Sequence, residues 1–181
     1  MTTNWIKIEQ PISGESANIA ASSTASIEIN ASLHVVVDIA TNPNYVTKLF
    51  GSWGPTPVFE CASMEGESPL RKGEIRRIVY GEGTETNEEA TILLHPLRHA
   101  YRLRWRSRMP FSGMAGCNSV DWVFTPSCGG TRVTWEADFT PNSSLVRPVV
   151  VAIAERFYAP FQKKCLGALK DISEQGTARK R

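Results

Sequence analysis

The chain of 181 residues has no apolar run near the roughly 20 residues that a membrane span requires, so no stable membrane insertion is expected. Its first residues lack a basic stretch followed by an apolar one, which leaves no secretory leader to read and makes a cytoplasmic location the expectation. Cysteine is sparse. Cys61, Cys117, Cys128 and Cys165 are scattered without a CxxC pair, which argues against both a disulfide framework and a zinc site. The three histidines, His34, His95 and His99, have no HExxH-type spacing, so no metal is expected. There is no GxGxxG before a helix, no Walker loop and no GxSxG elbow, so no nucleotide cofactor, and no other cofactor, is expected. A formal net charge of +2 supplies no field that would gather nucleic acid.

What is present is an ordinary globular composition, 41% apolar and 21% charged, in a chain long enough for one well-formed core. Residues 1–23 are rich in Ser, Thr and Ala around one apolar knot, Trp5-Ile6-Lys7-Ile8, and read as an arm. Residues 24–174 read as the domain and 175–181 as a basic tail. In the domain, Ile27 and Ile29 alternate with Ser26, Glu28 and Asn30, which predicts a strand over 24–31. Ser32 is placed to cap a short helix over 33–40, and Asn42-Pro43-Asn44 separates it from a second over 45–50.

From residue 57 to 140 the pattern turns to strands, predicted at 58–64, 73–80, 88–94, 100–108, 119–125 and 131–139. The connections are short and carry Gly, Pro, Asn and Ser, which favours antiparallel hairpins over parallel crossovers. Tyr101, Leu103 and Trp105 alternate with Arg102, Arg104, Arg106 and Arg108, so one face is apolar and the other wet. Asp121, Glu136 and Asp138 are the acids that could pair with this arginine ladder. Residues 146–173 then read as one helix. Val150, Ile153, Phe157, Phe161, Cys165, Ala168 and Ile172 form its apolar stripe, and Pro160 is expected to kink it. The order is that of an α+β domain, with one helix too narrow to fill a bent sheet.

At this point the chain resembles the START-like superfamily, the helix-grip or Bet v 1-like fold, and within it the polyketide cyclase/dehydrase and lipid-transport group. The residues that carry the resemblance are Ser26-Ile27-Glu28-Ile29-Asn30-Ala31-Ser32, Gly73-Glu74-Ile75-Arg76-Arg77, Glu88-Glu89, Tyr101, and Gly129-Gly130-Thr131-Arg132-Val133-Thr134-Trp135. It implies a curved seven-stranded antiparallel sheet around a long C-terminal helix, two short helices after the first strand, and a cavity between sheet and helix. It also implies a cavity mouth at residues 81–87 and 109–116. In the second of these loops Met109, Pro110, Phe111 and Met114 are unexpectedly apolar, which suits a lid over a greasy ligand, a loop tucked into the protein's own core, or a homodimer contact.

The abscisic-acid receptors of this superfamily line their pocket with a strand glutamate and a strand lysine. By spacing the glutamate falls on Glu89, while the lysine falls near Glu60, a departure that speaks against a hormone-type carboxylate ligand. The family's Gly-x-x-Arg falls on Gly73 and Arg76, and parity then puts Arg76, Ile78 and Tyr80 inward. Glu89, Arg76 and Glu60 are thus the candidate catalytic groups, since a carboxyl poised between burial and a guanidinium can shuttle a proton. Tyr80, Tyr101, Leu103, Trp105, Trp122, Phe111, Met114, Ile153, Phe157 and Phe161 are the candidate ligand-binding residues. The expected partner is a hydrophobic small molecule. It would be the substrate of a cyclase, dehydratase or isomerase, or the cargo of a carrier or sensor.

Overall fold

The computed structural model describes residues 19–51, 59–64, 75–80, 85–94, 97–105 and 115–178. Of these, 59–64, 75–80, 85–94, 100–105 and 115–118 are described by backbone and register only. Strand β1 (Ala21–Ile29) leads to helices α1 (Leu33–Thr41) and α2 (Pro43–Leu49). Strands β2 (Phe59–Met64), β3 (Ile75–Tyr80), β4 (Glu85–Leu94), β5 (Arg98–Trp105), β6 (Ala115–Ser127) and β7 (Gly130–Pro141) follow. The strands are hydrogen-bonded in the order β1-β7-β6-β5-β4-β3-β2, each neighbouring pair antiparallel. A 3-10 turn (Ser144–Val146), helix α3 (Arg147–Ile153), a π turn (Ala154–Tyr158) and helix α4 (Ala159–Ala178) complete the described residues. The α+β class, the antiparallel sheet and the C-terminal helix agree with the sequence reading.

Alternation places the core. In β7, Thr131, Val133, Trp135, Ala137 and Phe139 are buried. Their Cα partners in β6 include Phe124, Trp122 and Val120, which are buried too. In β1, Ser23, Ala25 and Ile29 are buried while Ser22, Thr24 and Ser26 are exposed. One face of the sheet is therefore turned to the helices, with Val36, Val37 and Ile39 of α1, Leu49 of α2 and Phe161, Cys165, Leu166 and Leu169 of α4 in the same core.

Several boundaries move. Strand β1 starts at Ala21, inside the stretch expected to be an arm, because Ser23 has a buried partner far along the chain. Ser32 sits in extended backbone at the start of α1, but its hydroxyl makes no capping bond. The expected single helix is divided by the π turn, in which the Ala159 N–H donates to the Ala154 carbonyl, five residues back. Pro160 has no N–H and would collide with the carbonyl of residue 156 in a regular turn, and the wider turn relieves both problems. The wider turn also shifts the helix phase. Phe157 lies 43% exposed, and Tyr158 makes the ring contacts with the sheet that the regular stripe assigned to its neighbour.

The outer face is polar, and the side chains of Arg102 and Arg104 are not among those described, so the expected ladder is seen only from its acidic side. Asp121 accepts from Arg98 Nε at 3.0 Å and also from its Nη2, and this pairing raises the Arg98 pKa above its ordinary value. Asp138 accepts from the Ser22 hydroxyl at 2.6 Å, and the Cα partner of Arg102 in β6 is Ser119. Arg106 and Arg108 lie outside the described residues.

Candidate functional site

Between the inner face of the sheet and the C-terminal helices stands a cluster of aromatic rings. Trp122 of β6 and Trp135 of β7 are Cα partners, and cross-strand pairing sets their rings side by side, 4.4 Å between centroids and 22° from parallel. Phe50, just after α2, meets both edge-on, at 6.3 Å from Trp122 and 5.9 Å from Trp135. Phe161 of α4 lies 6.0 Å from Trp135. Tyr158 of the π turn packs edge-on against Phe139 at 4.8 Å and touches Trp135 and Phe161. Two expected ligand-binding residues, Trp122 and Phe161, thus meet here. Ile153 is half-buried, and Phe157 stands apart at the surface.

Two polar features interrupt this apolar interior. Gln162 of α4 is fully buried, and its amide donates to the Trp135 carbonyl at 3.1 Å while its carbonyl accepts from the Ser23 hydroxyl at 2.6 Å. The indole Nε1 of Trp135 is buried with no acceptor among the described residues. An unpaired buried donor costs about 1–3 kcal/mol, so an acceptor brought by a guest molecule would relieve a standing penalty. Phe50, Tyr158 and Gln162 escaped the sequence reading. Phe50 follows a short helix, Tyr158 gains its place only through the π turn, and no local pattern marks a buried glutamine.

Among the described residues, no cluster of His, Cys, Asp or Glu could hold a metal ion. Cys165 is buried, which pushes its thiol pKa up to about 12, so it is no nucleophile at neutral pH.

The expected catalytic residues stand on strands described by backbone and register. Glu60 lies at the irregularity of β2, where the pairing with β3 shifts between Phe59 and Cys61. Arg76 has Met64 of β2 and Glu88 of β4 as Cα partners. Glu89 has Ile75 and Arg102 as Cα partners. Tyr101 pairs with Ala90 and Val120, Leu103 with Glu88 and Asn118, Trp105 with Thr86, and Tyr80 with Phe59. Phe111 and Met114 lie outside the described residues.

The sheet order and the helices across its inner face define an α+β protein with an antiparallel sheet packed on a C-terminal helix. The chain belongs to the polyketide cyclase/dehydrase and lipid transport family, whose model matches residues 20–174. No curated protein matches the sequence. Among solved structures, the chain is similar to the di-domain ARO/CYC StfQ from the steffimycin biosynthetic pathway, with 11% identity and a TM-score of 0.65 over 87% of this chain and 52% of that one. It is also similar to protein MLL2253 from Mesorhizobium loti, with 12% identity and a TM-score of 0.64 over 86% and 98% of the two chains. The major latex-like protein 151 from Panax ginseng aligns with 11% identity and a TM-score of 0.59 over 84% and 97%. Identities this low speak to the shared fold. No described helix is long and apolar enough to cross a membrane.

Proposed function

We propose that the protein holds a hydrophobic small molecule between the inner face of its sheet and its C-terminal helices, in a helix-grip arrangement of seven strands around the helix. The observation that carries this reading is the family match over residues 20–174, which spans every element from β1 to most of α4. The aromatic cluster adds to it, since stacked indoles beside Phe50, Tyr158 and Phe161 suit a flat conjugated guest. The unpaired indole N–H of Trp135 suits a guest that carries an oxygen acceptor.

The activity proposed is cofactor-independent cyclisation, dehydration or isomerisation of a polyketide-like or terpenoid-like intermediate. Such chemistry needs a shaped apolar site, one acid/base group and a donor to steady an enolate. Strands β2 to β4 offer Glu60, Arg76 and Glu88 for the polar roles. The second reading is a carrier of a lipid-like ligand without turnover, favoured by the lipid-transport half of the family description. Native mass spectrometry of the purified protein tests the binding: a co-purified apolar compound is expected. Turnover of poly-β-ketone analogues separates the two readings. A carrier binds them without converting them, and an enzyme converts them.

A further inference from the structure

The register sorts two adjacent glutamates onto opposite faces of the sheet. Followed from strand to strand, one row of Cα partners runs Met64–Arg76–Glu88–Leu103–Asn118–Phe139, from β2 to β7. Directly opposed residues of antiparallel strands share a face, and residues two apart on one strand share it too. Phe139 is buried against Tyr158. The next rows on the same face are Ala90–Tyr101–Val120–Ala137–Ser23 and Leu93–His99–Trp122–Trp135–Ala25. Every member of these two rows whose burial is described is buried. The row of Glu89 is Ile75–Glu89–Arg102–Ser119–Asp138–Ser22, and Ser119 and Ser22 are exposed. No irregularity falls between residues 85 and 90 of β4 or between 75 and 79 of β3, so the assignment does not slip.

We infer that Glu88, and not Glu89, is the carboxylate of the inner face, and that as the cross-strand partner of Arg76 it sets the charge selectivity of the binding site. This rests on the proposed hydrophobic-ligand reading. Two opposite charges at adjacent positions of one row compensate each other, so the site as built favours a neutral oxygenated guest, such as a ketone or alcohol, over a carboxylate. Removing either charge leaves the other to be compensated by a ligand. Glu88 is thus a specificity residue whose loss turns a site for neutral molecules into one for anions.

The test measures dodecanol, dodecanoate and dodecylamine binding to the full chain by displacement of the neutral dye Nile red. Wild type is expected to bind dodecanol at least as tightly as dodecanoate. Glu88→Gln is expected to shift the preference toward dodecanoate by about tenfold or more, because the charge of Arg76, left without an opposite charge at its row position, gains one in the carboxylate. Glu89→Gln is expected to keep the wild-type preference. Should Glu88→Gln fail to fold, Arg76→Gln carries the test with opposite sign, gaining about tenfold for dodecylamine over dodecanol. A selectivity shift in Glu89→Gln with none in Glu88→Gln overturns the inference and leaves the binding reading intact. Unchanged preference in both variants, with ligands still bound, does the same. Failure of wild type to bind any of the three overturns the binding reading itself, and the inference with it.

Discussion

The Ser23 hydroxyl in β1 and the Gln162 amide oxygen in α4, 139 residues apart, meet at 2.6 Å in the buried interior. Gln162 also donates to the backbone carbonyls of Ser23 at 3.3 Å and Trp135 at 3.1 Å, so one side chain ties the C-terminal helix to two strands. Gln162→Leu keeps the bulk and removes all three bonds. The expected loss is about 1–3 kcal/mol by urea denaturation, because the Ser23 hydroxyl is left buried without its acceptor. Adding Ser23→Ala to Gln162→Leu should recover part of that loss, since no orphan hydroxyl then remains. A double variant no more stable than the single one would show that the clamp does not act through this pair.

Gly129 and Gly130 close the β6–β7 hairpin side by side, yet they should respond differently to an added methyl group. Gly130 has φ of +153°, and a Cβ there would lie 2.1 Å from the Ile29 carbonyl oxygen and 2.8 Å from the Ala31 nitrogen, both backbone atoms that cannot step aside. Gly130→Ala is expected to cost about 3 kcal/mol or more, combining backbone strain with the clash. A Cβ at Gly129 meets nothing within 4 Å, so Gly129→Ala should stay within about 0.5 kcal/mol of wild type. Thermal melts of the two variants under one condition check the contrast.

The ion pairs of the outer face should divide by burial. Arg98 and Asp121 keep only 13% and 22% of their side-chain surface exposed, and both guanidinium nitrogens that reach the carboxylate are hydrogen-bonded. Asp121→Asn is expected to cost about 1.5–3 kcal/mol, the range for hydrogen bonds to charged groups. Glu28 and Arg132 form the contrasting pair at the surface, 50% and 62% exposed. Hydrogen bonds from Ser127 and then Arg132 hold the Glu28 carboxyl below its ordinary pKa. A depressed carboxylate contributes stability above the unfolded pKa that disappears as pH falls through the folded one. Solvent screens this pair, so Glu28→Gln should change denaturation at neutral pH little. A Glu28→Gln loss as large as that of Asp121→Asn would contradict the division.

The fold was legible where alternation was clean. In β7 every second residue is apolar or Thr, and the structure buries that set, from Thr131 to Phe139. Legibility failed where the deciding partner is distant or the pattern is flat. Ser23 reads as loop because its partner is Gln162, and the π turn that exchanges Phe157 for Tyr158 depends on how the chain adapts to Pro160. The run Glu85-Thr86-Asn87-Glu88-Glu89 has no apolar alternation, so parity within β4 cannot be read locally. A slip of one residue exchanges the two faces of a strand, and only the register against β3 and β5 separates Glu88 from Glu89.

Two cysteines should differ sharply in reactivity and in their effect at high pH. Cys128 is exposed in the β6–β7 turn, while burial pushes the Cys165 thiol from its ordinary value of 9.0 up to about 12. Iodoacetamide at pH 8 followed by peptide mapping should label Cys128 within minutes and Cys165 only after unfolding, since the thiolate is the reacting form. A raised folded pKa means that the contribution of Cys165 to stability is complete below pH 9 and is lost as the pH rises toward about 12. The sign follows from the unfolded chain, which releases the thiol proton first and so is favoured by alkali. Cys165→Ala should therefore lie below wild type in stability at pH 8 through lost packing, and the gap should narrow as pH rises above 9. A gap that stays constant between pH 8 and 11 would show that the thiol at position 165 meets water in the folded protein.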